Sequence, residues 1–272
     1  MDLAHCSLNS VTVKNASFSR LIELATRHGF GGVGLWRDAY AGNGAAAAAR
    51  DLRKAGLRVS SVCRGGAFPQ PDETSRAAAL ADNLRAIDEA RTLDADCLVL
   101  VCGAAAGRDL AAARNQIEDG IAELVPHADE AGVRLAIEPM HPMMVADRSA
   151  ITSLTEAVDL VERLASPRVG LCVDSYHVFW DVNLAGELAR APEALMSVQL
   201  ADWVLPIHGQ LSSRGMPGEG SIDLPGFVQL TRKAGYRGLV EVEVLSDRWW
   251  ATDPADTAQA AADALREIPD PS

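Results

Sequence analysis

The stretch Glu130-Ala131-Gly132-Val133-Arg134-Leu135-Ala136-Ile137-Glu138-Pro139 contains the unit on which the fold prediction rests. A helical segment ends at a glycine, and glycine favours the left-handed backbone of a helix C-cap. A short apolar run follows and ends in a carboxylate. Such a run, too apolar to face water, is typical of a buried strand in a parallel sheet. The stretch therefore predicts the order helix, glycine, strand, acidic residue.

The same unit occurs along the whole chain. Eight apolar runs predict strands: Leu3–Leu8, Gly32–Trp36, Val59–Arg64, Cys97–Gly103, Val133–Pro139, Arg168–Asp174, Leu195–Asp202 and Leu239–Leu245. Segments with helical periodicity follow them: Phe18–His28, Ala45–Ala55, Thr74–Leu93, Leu110–Ala131, Leu154–Ala165, Leu184–Ala191, Pro225–Ala234 and Ala255–Ile268. Eight alternating units predict an α/β protein with one (β/α)8 TIM barrel domain over residues 1–272. The alternative is an open doubly wound sheet, but the Gly-x-Gly-x-x-Gly pattern of a dinucleotide site does not follow the first strand.

Composition narrows the class of partner. The 272 residues carry a formal net charge of −12, which opposes nucleic-acid binding. We expect no membrane association and a cytoplasmic location, because the sequence has no apolar stretch of membrane-spanning length and its start does not resemble a signal peptide. The five cysteines are odd in number and lie in or beside predicted strands, so we expect reduced, buried thiols.

Polar residues end four of the later predicted strands. Glu138, Asp174, Gln199 and Glu243 lie at or near the carboxyl ends, where the active sites of TIM barrels lie. One such acid alone would be read equally well as a salt-bridge partner. Several converging carboxylates would repel one another unless a cation neutralised them. We therefore predict that these four side chains bind a divalent metal, and oxygen ligands favour Mn²⁺ or Mg²⁺.

Two positions on the first and last strands leave alternatives open. Glu241 and Glu243 are two residues apart and point to the same face, and we prefer Glu243 as the ligand because it lies nearer the mouth. His5, Ser7 and Asn9 alternate along the first predicted strand and are candidates for the pocket floor, although for His5 a hydrogen-bonded core histidine is the simpler interpretation and the one the sequence favours.

Five further residues are candidates for substrate binding. His141 and His177 each follow a proposed ligand by three residues, and matching offsets favour a role in substrate binding or proton transfer over that of surface loop histidines. Arg64 closes the third strand and Arg214 lies in the long loop after the seventh, where each could bind substrate oxygens or form an ion pair. Trp36 could stack on a sugar ring or pack in the core.

Three motifs resemble a known family, the sugar phosphate isomerase/epimerase-like TIM barrels related to xylose isomerase, ketose 3-epimerases and inosose dehydratase. The motifs are Ile137-Glu138-Pro139-Met140-His141-Pro142-Met143 followed by Ala146-Asp147-Arg148, Val173-Asp174-Ser175-Tyr176-His177, and Gly235-Tyr236-Arg237-Gly238 leading into Glu243. The similarity covers nearly the whole chain.

The resemblance implies roles for the matching residues. It implies that Glu138 and Glu243 are metal ligands and also move the substrate proton, that Asp174 is a ligand, and that His177 helps to hold the substrate. The chain departs from the family at Gln199, where a histidine ligand is usual. The resemblance also implies a homo-oligomer, since dimers and tetramers are frequent among such proteins.

Four functions follow as hypotheses. The first is a sugar isomerase or epimerase that abstracts a proton next to a carbonyl through a metal-stabilised enediolate, with a small sugar or sugar derivative as substrate. The second is a dehydratase or lyase acting on a keto-inositol or 3-oxo-sugar. The third is a DNA repair endonuclease related to endonuclease IV, which the charge of −12 disfavours. The fourth is a catalytically reduced binding or partner subunit, which Gln199 keeps open.

Overall fold

A computed structural model describes residues 1–269, and these residues form a closed barrel of eight parallel strands surrounded by helices. The barrel strands are β1 Cys6–Asn9, β2 Gly32–Trp36, β3 Arg58–Gly66, β4 Leu98–Val101, β5 Leu135–Ile137, β6 Val169–Asp174, β7 Leu195–Leu200 and β8 Val240–Val242. Each strand pairs with its neighbours in the sequence, and β8 closes the barrel against β1. The predicted TIM barrel fold is therefore confirmed.

Helices follow the strands with bounds close to those that the periodicity predicts. They are α1 Phe18–His28, α2 Arg37–Tyr40, α3 Ala45–Ala55, α4 Glu73–Leu93, α5 Leu110–Ala131, α6 Leu154–Leu164, α7 Ser175–Val178, α8 Leu184–Arg190, α9 Leu224–Lys233, α10 Asp247–Trp250 and α11 Pro254–Glu267. Side chains of serine or aspartate cap the N-termini of α1, α4, α5, α6, α9 and α11, as Ser17 does by accepting from the Arg20 N–H. Gly29, Gly56 and Gly132 adopt the left-handed C-cap conformation.

The strand register determines which interior side chains are neighbours. Asp174 pairs with Gln199 across β6 and β7, Gln199 with Glu241 across β7 and β8, and Glu241 with Ser7 across β8 and β1. Inward-facing side chains in such a row lie side by side in the barrel. At Gly34 on β2 an added Cβ atom would lie only 2.4 Å from Glu241 Cδ, so glycine leaves the space that the Glu241 carboxylate fills.

The structure corrects the prediction at the first strand. Leu3–His5 forms a 3₁₀ turn, capped by the Asp2 side chain, which accepts from the Ala4 N–H, and the strand begins only at Cys6. His5 is exposed, so it belongs neither to the pocket floor nor to the core. Asp270–Ser272, the end of the predicted domain, lie outside the described residues.

Two further features concern the class of protein. All five cysteines are buried, in agreement with the expectation that they lie in the core. From Met1 to Pro269, each helix is either too short or too polar to span a bilayer.

Candidate active site

Three acidic side chains meet at the mouth of the barrel. Glu138 follows β5, Asp174 ends β6 and Glu243 follows β8, and all three are buried. Their positions follow from the fold, because the carboxyl ends of parallel barrel strands converge on one face. The structure thus places three of the four predicted ligands within one site.

His177 joins this group through a short helical turn. Asp174 caps α7 by accepting from the Tyr176 N–H at 2.9 Å, and the turn brings His177 back over the Asp174 carboxylate. His177 Nε2 lies 3.7 Å from Asp174 Oδ2 and 3.8 Å from Glu138 Oε1. The imidazole therefore lies beside two of the carboxylates, at the offset of three residues noted in the sequence.

Arg214 supplies the positive charge in the centre of the site. It comes from a short antiparallel ribbon, Asp202–Trp203 with Arg214–Gly215, inside the long loop after β7. Its Nη1 donates to Asp174 Oδ2 at 2.6 Å and lies 3.3 Å from Glu243 Oε2. Its Nη2 lies 3.0 Å from His177 Nε2, and its buried Nε has no hydrogen-bond partner within residues 1–269.

Burial and mutual repulsion perturb the acids. Burial raises the pKa of Glu138 well above its usual range, and the negative charges of Glu243 and Asp174 raise it further. Burial also raises the pKa of Asp174, against the opposing effect of Arg214. For Glu243, burial raises the pKa to about 7, again opposed by Arg214. One guanidinium thus compensates three carboxylates only in part, and the site favours a further cation.

His177 is held neutral. Burial lowers its pKa well below the usual range, and the nearby charge of Arg214 lowers it further. Its Nδ1 accepts from the His141 backbone N–H at 3.2 Å, while Nε2 faces the Arg214 guanidinium. A neutral imidazole accepts at only one nitrogen, so one of these two contacts cannot be a hydrogen bond. The contact with Arg214 is the one that a ligand at Nε2 would displace.

Glu243 is oriented by two uncharged donors. The Trp36 indole N–H donates to Glu243 Oε1 at 3.0 Å, and the Asn9 amide donates to the same oxygen at 3.2 Å. Trp36 therefore contacts Glu243 through its ring nitrogen. The stacking on a sugar ring considered from the sequence would use the face of the ring instead. The alternation along the first strand predicts Asn9 at the pocket floor, but it does not predict the hydrogen bond from Asn9 to Glu243.

Glu241 is a fourth buried carboxylate in the barrel, and it lies deeper than the other three. It accepts from Asn9 Nδ2 at 2.5 Å, Ser60 Oγ at 2.6 Å, Ser61 Oγ at 2.8 Å and Gln199 Nε2 at 2.9 Å. Hydrogen bonds from neutral donors stabilise this carboxylate without a cation. Glu241 is linked to the site through Asn9, whose amide also donates to Glu243.

Gln199 directs its amide into the barrel interior. Its Nε2 donates to Glu241, and its Oε1 accepts from the Cys172 thiol at 3.3 Å. Both ends of the amide are thus occupied by protein groups. Among the described histidines, cysteines and acids, a set with ligand atoms within 4.8 Å of one another contains Glu138, Asp174 and His177.

The other substrate-binding candidates are dispersed around the mouth. His141 is half-buried, and its ring lies 5.0 Å from the Trp203 ring and 5.7 Å from the Trp180 ring. Arg64 is exposed near the end of β3, and its side chain makes no hydrogen bond or ion pair with residues 1–269. Of the five substrate-binding candidates, His177 and Arg214 therefore lie beside the three acids, and Trp36 contacts Glu243. Arg64 makes no contact with these acids in the described structure.

Sequence reasoning missed the residue that folds the long loop. Asp202 is fully buried and accepts from the backbone N–H groups of Gly218, Gly220 and Ile222, at 2.9, 2.9 and 3.0 Å. These bonds hold the loop that carries Arg214 over the mouth. The sequence shows a glycine-rich segment about sixteen residues after Asp202, an acid at a strand end. That pattern does not predict that the two are hydrogen-bonded.

The acidic group and imidazole fit a divalent ion. Ligand atoms that each lie about 2.1 Å from one ion are separated by roughly 3–4 Å. The distances of 3.7 and 3.8 Å from His177 Nε2 to the two carboxylates agree with that separation. The partly compensated negative charge favours the same conclusion.

Comparison with known proteins defines the class. A family model described as xylose isomerase-like TIM barrel matches residues 22–268, so this chain belongs to that family. The protein SMc04130 from Sinorhizobium meliloti 1021 is similar in sequence and structure: it is 40% identical, the TM-score is 0.94, and the match covers 97% of this chain and 98% of that one.

Two enzymes are more distant relatives. The 3-dehydroshikimate dehydratase of Pseudomonas aeruginosa PAO1 is 32% identical over 179 residues, which cover 63% of this chain and 26% of the dehydratase. The inosose isomerase of Bacillus licheniformis is 26% identical over 153 residues, which cover 54% of this chain and 53% of the isomerase. The matches thus span about a quarter and about half of these relatives, which include both a dehydratase and an isomerase.

Proposed function

We propose that this protein is a metal-dependent enzyme that removes a proton from the carbon next to a carbonyl of a small sugar or sugar derivative, and that it acts as an isomerase or epimerase. The observation that carries the proposal is the meeting of Glu138, Asp174 and Glu243 with His177 at the barrel mouth. Similarity to an inosose isomerase agrees with this reaction type.

Glu138, Asp174 and His177 would hold the ion. Two carboxylates and an imidazole suit Mn²⁺ or Zn²⁺ better than Mg²⁺, because imidazole is a softer ligand than water or carboxylate. We propose that the ion is Mn²⁺ and that His177, rather than Gln199, is its third ligand. When bound, a divalent ion polarises a carbonyl oxygen and stabilises the negative charge that develops on it.

Glu243 is the proposed base. The sequence predicts Glu243 as a ligand as well, but we propose that it acts as the base, because the described group of ligand atoms within 4.8 Å of one another consists of Glu138, Asp174 and His177. Trp36 and Asn9 orient Glu243 Oε1, while Oε2 lies near Arg214. The carboxylate takes the proton from the substrate carbon, and in an isomerase or epimerase Glu138 or Glu243 returns a proton to a carbon of the product. Arg214 contributes hydrogen-bond donors to substrate oxygens, as guanidinium groups do.

A lyase is the second candidate, favoured by the similarity to 3-dehydroshikimate dehydratase. Deprotonation by Glu243 would be the same, and a β-substituent would then leave with the electron pair. Analysis of the products formed from 3-oxo-sugars and keto-inositols separates the candidates: an isomer has the substrate's mass, whereas a dehydration product has lost water. The third possibility, a binding or partner subunit without catalysis, predicts neither product.

Proton exchange tests the proposal directly. The Mn²⁺-loaded protein is incubated with ketoses, 3-oxo-sugars and keto-inositols in D₂O, and C–H signals are followed by NMR. We expect exchange with at least one substrate, and loss of that exchange by at least about 100-fold in Glu243→Gln, the lower end of the usual contribution of a general base. Glu130→Gln removes an exposed carboxylate in α5 and serves as the control. Full exchange in Glu243→Gln would show that another group is the base.

A further inference from the structure

A separate cavity opens beside the proposed base. It has a volume of about 390 Å³, within the range of small-molecule sites, and its lining includes Lys14, Trp36, Asp38, Arg148 and Trp250. Trp36 belongs to both places, because its indole N–H donates to Glu243 Oε1 at 3.0 Å. A molecule with its reacting carbon at Glu243 could therefore extend into this cavity.

Arg148 lines the cavity and carries a buried donor without an acceptor. Its Nε is buried and has no hydrogen-bond partner within residues 1–269. It forms an ion pair with its neighbour Asp147, whose Oδ2 lies 3.6 Å from Nε, but this distance is longer than a hydrogen bond. A buried donor without an acceptor is unfavourable, and a ligand oxygen at this place would remove the deficit.

Lys14 adds a second positive charge to the same cavity. Its Nζ lies 4.2 Å from the centre of the Trp250 ring, and within the described residues it forms no ion pair with a carboxylate. The Trp250 ring is held in place by its N–H, which donates to the Val11 carbonyl at 2.7 Å. Asp38 is the acid in the lining, so two cations face one carboxylate here.

This balance of charge is opposite to that of the neighbouring site. The chain has a net charge of −12, and the acids at the barrel mouth outnumber Arg214 three to one. Neither cation of this cavity is hydrogen-bonded to a carboxylate within residues 1–269, so the cavity favours an anion, while the acids repel the same group from the reaction centre. Charge thus sets the direction in which an anionic substrate binds.

We propose that this cavity binds an anionic group, a carboxylate or a phosphate, at the end of the substrate remote from the carbon that Glu243 deprotonates. The inference rests on the proposed function for the position of the reacting carbon. A guanidinium with free donors binds either anion through two parallel hydrogen bonds, and the Lys14 ammonium adds a point charge. The substrate class is then an anionic keto-sugar rather than a neutral one.

The inference is tested by the ratio of kcat/KM for an anionic substrate to kcat/KM for the matching neutral substrate. We compare kcat/KM for a neutral 3-oxo-sugar, the corresponding uronic acid and the corresponding 6-phosphate. One of the two anionic forms should exceed the neutral form by about 10- to 100-fold, the usual effect of hydrogen bonds to a charged group. In Arg148→Gln and in Lys14→Gln the ratio should fall towards one, mainly through KM. The control Arg53→Gln removes an exposed cation of α3 and should keep the ratio.

Inorganic phosphate supplies a measurement that does not need turnover. Phosphate should raise the melting temperature of the metal-free wild type and raise it less in Arg148→Gln and in Lys14→Gln. If exchange occurs but the anionic forms have no advantage and phosphate stabilises all variants equally, the inference is overturned while the proposed function stands. If no sugar is exchanged but phosphate binding depends on both residues, the anion site stands and the proposed reaction is wrong. If phosphate binding depends on neither residue and no sugar is exchanged, the inference is likewise overturned.

Discussion

Arg214 offers the sharpest perturbation of the site. The variant Arg214→Gln removes the guanidinium that donates to Asp174 at 2.6 Å and lies 3.3 Å from Glu243 Oε2. Its side chain is 2% exposed, so water does not easily replace the lost charge. Breaking a buried ion pair by removing one partner costs about 3–5 kcal/mol, because an uncompensated charge remains. For a domain of this size the melting temperature should fall on the order of 10 °C.

The same variant should respond more strongly to metal. Arg214 and a divalent ion compete for Asp174 and for His177 Nε2, which lies 3.0 Å from Nη2. Without that competition, Mn²⁺ at 100 times its dissociation constant would stabilise the folded state by about 2.7 kcal/mol. We expect wild type, held by its guanidinium, to gain clearly less at the same Mn²⁺ concentration.

Thermal denaturation measures both effects. Wild type, Arg214→Gln and the surface control Arg53→Gln are treated with EDTA, dialysed and melted with and without MnCl₂. The reasoning fails if Arg214→Gln melts within about 2 °C of wild type, a shift of less than roughly 1 kcal/mol. It also fails if Mn²⁺ raises both melting temperatures equally, because the guanidinium would then not compete with the ion.

Two further changes test the packing and the surface charges. Gly34→Ala places a Cβ atom 2.4 Å from Glu241 Cδ and should lower the free energy of unfolding by about 1–3 kcal/mol, whereas Gly186→Ala, with open space around it, should leave it nearly unchanged or raise it; urea denaturation of both variants decides. Arg37→Gln removes the hydrogen bonds that hold the pKa of Asp82 below its usual range. A lowered pKa of Asp82 stabilises the folded state at pH values above the unfolded pKa near 3.9, and this stabilisation is lost as the pH falls through the folded pKa. The variant should therefore be less stable than wild type by about 1 kcal/mol or less at pH 7. This difference should shrink below pH 4 in a pH series of urea denaturation measurements. An equal deficit at pH 3 and pH 7 would contradict the ion-pair account.

Local pattern predicts most of the fold. The helices Phe18–His28 and Ala45–Ala55 have the predicted bounds because an apolar period and a glycine C-cap both act within a few residues. The first strand is shorter than predicted because the Asp2 cap, a single hydrogen bond, turns the preceding residues into a 3₁₀ helix. Apolar character alone does not distinguish such a turn from a strand.

The site is predictable only where barrel geometry acts alone. Strand ends place Glu138, Asp174 and Glu243 together, since all barrel mouths bring strand ends together. The bond between Gln199 and Glu241 depends on the register of β7 with β8, which the sequence does not reveal. The central position of Arg214 depends on a loop of some twenty residues that Asp202 holds in place, and loop folding of that length has no local pattern.

The central claim is that one divalent ion lies among Glu138, Asp174 and His177. Diffraction from crystals soaked in MnCl₂, with data collected for the anomalous signal of manganese, tests it most directly. The account predicts one strong peak about 2.1–2.3 Å from an oxygen of each carboxylate and from His177 Nε2, with Arg214 displaced from that nitrogen. An empty position there at a Mn²⁺ concentration that supports exchange, with Arg214 still in contact with His177, would contradict it.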